Sequence, residues 1–143
     1  MRDLQVALGH YRTEYNTWPD DPALATSDDV PAKVRGPLMD ALLGNNPRSI
    51  MFFNPTNAEP GHSPGLVKEA GVSAMHDVWG SSYFLMLDMN GDGQVKNPER
   101  LPGAVPNPRA KPLGEFLPML KAAFSAGPDR DPNTWADNIT TWR

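Results

Sequence analysis

The start of the chain carries the hydrophobic pattern of an amphipathic helix. Leu4, Leu8, Tyr11 and Tyr15 recur at intervals of four, three and four residues, so they fall on one helical face. The segment Asn16-Thr17-Trp18-Pro19 ends this pattern, because proline cannot continue a helix and biases the residue before it toward extended geometry. The pattern predicts an α-helix that stops just before Trp18.

A second, shorter helix is predicted after a proline-rich loop. Pro37 suits the first turn of a helix, where its missing N–H costs nothing. Val34, Leu38 and Leu42 then repeat every four residues and form an apolar face. Gly44 is the natural stop, since glycine readily adopts the conformation that ends a helix.

Two compact apolar runs predict β-strands. Residues 49–53 lie between two prolines, and residues 81–87 are rich in aromatic side chains and end at a polar turn. The stretches 54–77 and 96–112 are rich in proline or glycine and predict irregular loops.

The segment 113–125 is ambiguous. Its apolar residues have helical spacing, but Pro118 lies in the middle of them. The pattern alone favours a helix here. The remaining tail, residues 126–143, is polar but contains two tryptophans, so we expect it to pack as an ordered loop.

Composition narrows the class of protein. The chain has 143 residues, which fits a single domain over 1–143, and 16 prolines with 12 glycines make it rich in loops. A net charge of −4 without a basic block argues against nucleic-acid binding. The absence of cysteine excludes disulfides, thiolate metal sites and a cysteine nucleophile. No run of apolar residues is long enough to span a membrane.

The strongest chemical motif is the segment 88–99, D-M-N-G-D-G-Q-V-K-N-P-E. It fits the calcium-loop pattern D-x-[DN]-x-[DN]-G-x5-E at every specified position. In that pattern side-chain oxygens come from alternate residues, a backbone carbonyl follows, and a bidentate carboxylate closes the shell at the twelfth position. The predicted calcium ligands are therefore Asp88, Asn90, Asp92, the carbonyl of Gln94, and Glu99.

Two alternatives to a complete calcium loop remain open. The segment before Asp88 predicts a strand rather than the entering helix of an EF-hand, and Lys96 and Pro98 are unusual near the closing end. The loop could therefore be a hairpin turn without a metal. Alternatively, the first three side chains bind and Glu99 does not reach the ion.

Other candidate sites are weaker. Asp129, Asp131 and Asp137 offer carboxylates in the C-terminal loop, and solvated acids explain them equally well. Residues 61–65 read G-H-S-P-G and match the nucleophile elbow G-x-S-x-G, which would suit a small hydrolase. We reject that interpretation because Pro64 has no N–H to stabilise an oxyanion. The three histidines show no metal-ligand spacing.

An ordered series of motifs resembles the soluble part of type II secretion major pseudopilins and their type IV pilin-like relatives. The series is the helix exit Y-R-T-E-Y-N-T-W-P at 11–19, D-V-W-G-S-S-Y at 77–83, and S-A-G-P-D at 125–129 followed by D-N-I at 137–139. The family versions of the last two are D-x-W-G-x-x-Y and S-x-G-x-D…D-x-I. The motifs occur in the family's order over nearly the whole chain.

The resemblance implies an α+β, pilin-like fold, in which an N-terminal helix packs on a small antiparallel sheet. It also implies that residues 119–125 form a strand beside 82–88, and we follow it over the helical pattern. The implied function is a structural subunit of a secretion pseudopilus or pilus-like filament, and not an enzyme. An apolar helix of about 20 residues would precede Met1 and anchor the subunit in the inner membrane.

Further expectations follow from the resemblance. Partners would be other subunits and the secretion machinery, in the periplasm or on the cell surface, and the chain without its anchor would be a monomer. Such pseudopilins commonly bind calcium in the C-terminal loop, which carries over to Asp129 and Asp137. Here Arg130 to Asn133 replace the usual glycine-rich stretch, so we rank the Asp88 loop first. The alternative function is a calcium-dependent adhesin module on the same fold.

Overall fold

The computed structural model describes residues 1–59 and 63–143 and has a mixed α+β fold, which confirms the predicted class. Helix α1 is Arg2–Tyr15 and helix α2 is Pro37–Leu42. Short 3₁₀ turns lie at Pro22–Leu24 and Pro98–Arg100. The strands are β1 Ala32–Lys33, β2 Gly65–Glu69, β3 Val72–His76, β4 Phe84–Leu87, β5 Val95–Lys96, β6 Phe116–Leu117, β7 Lys121–Ser125 and β8 Ile139–Thr140.

A four-stranded sheet in the order β1-β4-β7-β8 forms the centre of the fold, and each of its pairs is antiparallel. In the central pair Leu85 lies opposite Ala123. Two antiparallel pairs, β2–β3 and β5–β6, flank this sheet.

Helix α1 covers one face of the sheet, as its apolar stripe predicts. Leu4, Leu8 and Tyr11 are buried in one cluster with Leu85 and Leu87 of β4. The helix ends at Asn16, whose backbone is left-handed (φ 54°) and whose N–H donates to the Arg12 carbonyl at 2.8 Å. This is the standard way of satisfying a carbonyl at a helix C-terminus.

The opposite face of the sheet has its own small core. Successive side chains of a strand point to opposite faces, so Met86 of β4 and Ala122 of β7 point away from α1. They pack with Val95 of β5 and Leu117 of β6, and all four are buried. The β5–β6 pair therefore closes the second face of the sheet.

The predicted strand at 49–53 is wrong. This segment belongs to no strand, because its backbone N–H groups serve the end of α2 instead. Phe52 and Phe53 both donate to the carbonyl of Leu42, at 2.9 and 3.0 Å. The Phe52 ring contacts the Tyr11 ring edge to face, with 5.2 Å between centroids. This hydrophobic side chain therefore packs against α1 and not in a sheet.

The prediction that residues 54–77 are irregular is wrong for their second half, where β2 and β3 form a hairpin. Its two-residue turn is Ala70-Gly71, and both residues have positive φ, 49° and 82°. Such turns match the twist of the two strands they join. Ala-Gly is a weaker signal for this turn than Asn-Gly, so the sequence did not reveal the hairpin.

The helical pattern at 113–125 is also misleading, and the strand implied by the family resemblance is correct. Residues 121–125 form β7 and pair with β4. Within this segment Phe116–Leu117 form β6 and pair with β5, and Pro118 follows directly, so the helix cannot form. Tertiary pairing therefore overrides the local spacing here.

The C-terminal tail is ordered, as predicted. Trp135 is only 4% exposed, and its ring lies 4.9 Å from that of Phe124 on the sheet face opposite α1. Trp142 packs on both rings, with centroids 6.1 Å from Phe124 and 6.0 Å from Trp135. The tail thus covers part of the second core.

No helix within 1–59 or 63–143 combines the length and apolar character needed to cross a membrane.

We predict that Trp135→Ala lowers the free energy of unfolding by about 3–5 kcal/mol, because it removes a buried ring and leaves a cavity beside Phe124. Urea unfolding measures the change. The matched control is Val105→Ala, since Val105 is 56% exposed and its loss should change stability by less than about 0.5 kcal/mol. Equal stability of Trp135→Ala and wild type would mean that the tail does not stabilise the domain.

Candidate metal site and the loops around it

Asp88 is the centre of the predicted calcium loop and is only 3% exposed. It follows β4 directly, and its carboxylate accepts backbone N–H groups of the loop: Gly91 at 2.6 Å and Asp92 at 3.1 Å through Oδ1, and Gly93 at 2.9 Å through Oδ2. The indole N–H of Trp18 donates to the Asp88 carbonyl at 2.8 Å. The loop is therefore wrapped around one carboxylate and fastened to the end of α1.

The next two predicted ligands lie at the rim of this loop. Asn90 Oδ1 accepts the Asp92 N–H at 2.8 Å, and Asp92 Oδ1 accepts the Gln94 N–H at 3.0 Å. Each side chain thus stabilises the turn that follows it. The Gln94 side chain also donates to Asp92 Oδ2, at 3.3 Å.

Asp28 joins this loop from the segment before β1, which sequence analysis did not predict. Within the described residues, Asp28, Asp88 and Asp92 each place one carboxylate oxygen within 4.8 Å of the others. Asn90 Nδ2 donates to Asp28 at 2.8 Å and to Asp92 at 3.3 Å, so its amide lies between the two carboxylates. Asp28 Oδ1 is buried and has no hydrogen-bond partner among the described residues.

The close approach of these carboxylates makes the ionisation of Asp28 less favourable. Burial raises the pKa of Asp28, and the negative charges of Asp92, Asp29 and Asp88 raise it further. The nearby backbone of Met89 opposes this rise in the pKa of Asp28 only in part. The site therefore has an excess of negative charge, and its buried Asp28 Oδ1 accepts no hydrogen bond from the described residues.

Glu99, the predicted closing ligand, is bound to the C-terminal tail. Its Oε1 accepts the Trp142 indole N–H at 3.0 Å and the Arg143 Nε–H at 2.9 Å, and its Oε2 accepts Arg143 Nη2 at 2.6 Å. It is not part of the three-carboxylate cluster. The structure therefore places Glu99 apart from the carboxylates of Asp88 and Asp92.

The local sequence explains this placement. Asn97 Oδ1 accepts the Glu99 N–H at 3.0 Å, and Pro98 starts a short 3₁₀ turn that contains Glu99. The Asn97 amide also donates to the Gly114 carbonyl at 2.8 Å. Asn97 therefore fixes the closing end of the loop toward the residues that precede β6.

The C-terminal acidic residues form a tight turn. Asp129 accepts the Thr134 hydroxyl and the Asp131 N–H, and these bonds lower the pKa of Asp129. Asp137 Oδ2 accepts the Asp129 N–H at 3.2 Å, while Asp137 Oδ1 is buried without a partner in the described chain. Gly127 lies so close that a Cβ there would be 2.4 Å from the Asp137 carbonyl oxygen. Asp129 and Asp137 thus meet, but Asp131 points to Asn133.

A buried hydrogen bond joins two of the sequence motifs. Asp77 is 1% exposed, and its Oδ2 accepts the hydroxyl of Ser125 at 2.6 Å. Its Oδ1 accepts the N–H groups of Trp79 and Ser81, both at 2.9 Å. Ser125 in turn accepts the Gly127 N–H at 3.1 Å. The first residue of the D-V-W-G motif therefore contacts the first residue of the S-A-G-P-D motif.

The rejected nucleophile elbow falls partly outside the described residues, because Gly61 and His62 are not among them. Of the other two histidines, His10 lies exposed on α1, and His76 pairs with Glu69 at 3.0 Å.

The donor set of the Asp88 cluster determines its chemistry. Three carboxylates and an amide offer only oxygen and nitrogen, and the amide can present its oxygen after a half-turn of its terminal group. Oxygen donors with flexible spacing suit a hard divalent cation. Asp28 could not be found by motif, since it lies far from the loop in sequence; its only signal was a pair of adjacent acids in the first loop.

Comparison of this chain with models of known protein families, with curated proteins and with solved structures found no match. Its function is therefore inferred from its motifs and contacts.

We predict that Glu99→Gln destabilises the domain by about 1–3 kcal/mol at neutral pH, because it weakens a nearly buried, charge-assisted hydrogen-bond pair. Although burial alone raises the pKa of Glu99, bonds from Arg143 and Trp142 and nearby positive charges lower it overall. The stability from this lowered pKa is present above the ordinary glutamate pKa and is lost as the pH falls through the lowered value.

Thermal unfolding measured from acid to neutral pH tests this pH dependence. The difference in melting temperature between wild type and Glu99→Gln should shrink as the pH falls below the ordinary glutamate range. Glu115→Gln is the control, because Glu115 is exposed and its carboxylate makes no hydrogen bond to a described residue. If the difference in melting temperature instead grows as the pH falls, the lowered pKa of Glu99 is contradicted.

Proposed function

We propose that this chain is a structural subunit of a secretion pseudopilus or pilus-like filament, built on a pilin-like domain, with a structural rather than a catalytic role. The observation that carries this proposal is the Asp77–Ser125 hydrogen bond. Asp77 begins one family-like motif and Ser125 begins another, and they are separated by 48 residues in sequence. A buried contact between them gives both motifs one shared structural purpose.

The packing of α1 also supports this role. One face of the helix is buried against the sheet, while Val6 on another face is 49% exposed. The motifs resemble those of pseudopilins, and pseudopilin subunits assemble into filaments through their N-terminal helices. An exposed apolar residue on α1 suits such contacts.

The proposed partners and location follow from the family resemblance. The partners are other subunits of the filament and the secretion machinery. An apolar N-terminal helix of the whole protein anchors the subunit in the inner membrane, and the domain lies in the periplasm or in a cell-surface filament.

We assign a calcium ion to the Asp88 loop as part of this proposal. Asp88, Asp92 and Asp28 would supply carboxylate oxygens. Asn90, whose amide nitrogen faces Asp28 and Asp92, would supply its amide oxygen after a half-turn of the amide group. Bound there, calcium would neutralise the mutual repulsion of the carboxylates. Both loops contain a buried carboxylate oxygen without a partner in the described chain, Asp28 Oδ1 here and Asp137 Oδ1 in the C-terminal loop. The observation that favours the Asp88 loop is the convergence of three carboxylates within 4.8 Å of one another.

The residues of the loop would have separate roles. Asp88 organises the turn through its three backbone N–H bonds. Asp28 ties the segment before β1 to the loop after β4. Glu99 holds the tail and takes no part in binding the ion. Calcium would thus stabilise the fold by binding the native loop and not the unfolded chain.

We predict that Asp28→Asn abolishes calcium stabilisation without destabilising the calcium-free domain. For wild type, calcium at 100 times its dissociation constant adds about 2.7 kcal/mol, which is several degrees of melting temperature. In chelator, ionised Asp28 destabilises the fold above its raised pKa, and this destabilisation disappears as the pH falls through that range. Asp28→Asn removes the destabilising charge and one ligand together.

Melting curves in calcium, magnesium and chelator test this prediction, with Asp29→Asn as the matched control. Asp29 is adjacent and exposed but lies outside the cluster, so its variant should retain the calcium shift. Asp92→Ala should lose the shift as Asp28→Asn does. If Asp129→Asn is the variant that loses the calcium-dependent rise in melting temperature, and Asp28→Asn and Asp92→Ala retain it, the ion is in the C-terminal loop. If wild type shows no shift, the loop binds no calcium.

Filament membership is tested in cells that express the whole protein. The chain has no cysteine, so Val6→Cys introduces a single thiol on α1. We expect the protein in the filament fraction sheared from cells, with the thiol at position 6 protected from maleimide there and reactive in the purified domain. Val105→Cys, on an exposed loop, should react in both states. Recovery of the protein only outside the sheared fraction would contradict the proposal.

A further inference from the structure

A basic cleft lies near β1 and the C-terminal loop. The cavity has a volume of about 370 Å³. Its polar lining comes from four parts of the chain and consists of Lys33, Arg35, Glu69, His76, Ser81, Ser82 and Arg130. We call this cavity the basic cleft.

Three cations converge on the cleft without partners. The side chains of Lys33, Arg35 and Arg130 form no ion pair or hydrogen bond with residues 1–59 or 63–143. The chain as a whole has four more acidic than basic residues and a net charge of −4. The absence of partners for these three side chains is therefore not due to a shortage of carboxylates in the chain. Three unneutralised cations around one cavity therefore create a local positive potential in an acidic protein.

The single carboxylate of the cleft does not neutralise it. Glu69 Oε1 lies 3.0 Å from His76 Nε2 and is thereby engaged by the imidazole. The lining thus contains three lysine and arginine side chains against one carboxylate, an excess of two cationic side chains. The hydroxyls of Ser81 and Ser82 add neutral hydrogen-bond donors at the wall. The lining thus matches a group with two negative charges and several acceptor oxygens.

Arg130 occupies an unusual backbone conformation for its residue type. Its φ is 62°, in the left-handed region that glycine adopts most readily. The turn is held by the Arg130 N–H, which donates to the Gly127 carbonyl at 3.2 Å. Glycine would fit the backbone better, so the arginine side chain is present at a conformational cost. A role for its guanidinium in the cleft accounts for that cost.

We propose that the basic cleft binds a doubly charged oxyanion group, with Arg35 and Arg130 as forked donors, Lys33 as a point charge, and the two serines as hydroxyl donors. A free phosphate group satisfies this chemistry. Arginine is suited to such groups because its planar fork can donate two parallel hydrogen bonds.

The test is an NMR titration of the ¹⁵N-labelled chain with inorganic phosphate and pyrophosphate at low ionic strength, where screening is weak. We expect shifts at the amides of the cleft residues and tighter binding of pyrophosphate. Arg35→Gln and Arg130→Gly should each weaken binding about tenfold, the loss of one charge-assisted hydrogen bond. Arg130→Gly relieves the positive φ, so its melting temperature should equal or exceed that of wild type.

Arg109→Gln is the matched control, because Arg109 is exposed and does not line the cleft. Equal weakening by Arg109→Gln would show nonspecific attraction and overturn the proposal. Sedimentation at several protein concentrations distinguishes a free ligand from a second copy of the chain. A monomer that binds phosphate supports the proposal, whereas association that phosphate and Arg35→Gln both reverse would assign the cleft to carboxylates of a second copy and would overturn it. The absence of phosphate binding would also overturn the proposal.

Discussion

The buried carboxylate of Asp77 is the constraint on which the arrangement of the central sheet depends. An ionised carboxylate without partners would be very costly at this depth, so its bonds must be maintained in the folded state. One oxygen organises the turn that leads into β4, and the other binds Ser125 at the end of β7. The turn before β4 is thus tied to the end of β7 by a side-chain contact, in addition to the backbone ladder that pairs β4 with β7.

The same contact sets the start of the C-terminal loop. Ser125 accepts from Gly127, and Gly127 lies against the backbone of Asp137. A larger residue in place of Gly127 would collide with that backbone. From Asp77 outward, a continuous chain of short contacts therefore fixes the turn before β4, the end of β7 and the loop that carries Trp135 over the second core.

Sequence reasoning succeeded where one local rule dominated. The stripe on α1 and the proline at the start of α2 each have a single physical interpretation, and both helices are present. It failed where partners distant in sequence decided the outcome. The apolar run at 49–53 meets the end of α2, and the helical spacing before Phe124 gives way to pairing with β4.

In the candidate site too, local contacts were predictable from the sequence and contacts between distant residues were not. The turn from Asp88 to Gly93 was predictable because glycines and short acids act locally, as its backbone hydrogen bonds confirm. Asp28 was not predictable, since only the tertiary fold brings it beside Asp92. The position of Glu99 depends on Arg143 and Trp142, at the other end of the chain, and no spacing rule describes that contact.

The hydrogen bond from Trp18 to the Asp88 carbonyl has a mechanical meaning. Trp18 lies just beyond the end of α1, and Asp88 leads directly from β4 into the acidic loop. Tension pulling α1 away from the sheet would therefore load this bond and, through it, the first residue of the loop. A loop stiffened at Asp88 would resist that displacement, while a loose one would yield. The acidic loop is thus placed where its rigidity governs how firmly the helix stays seated on the sheet under force.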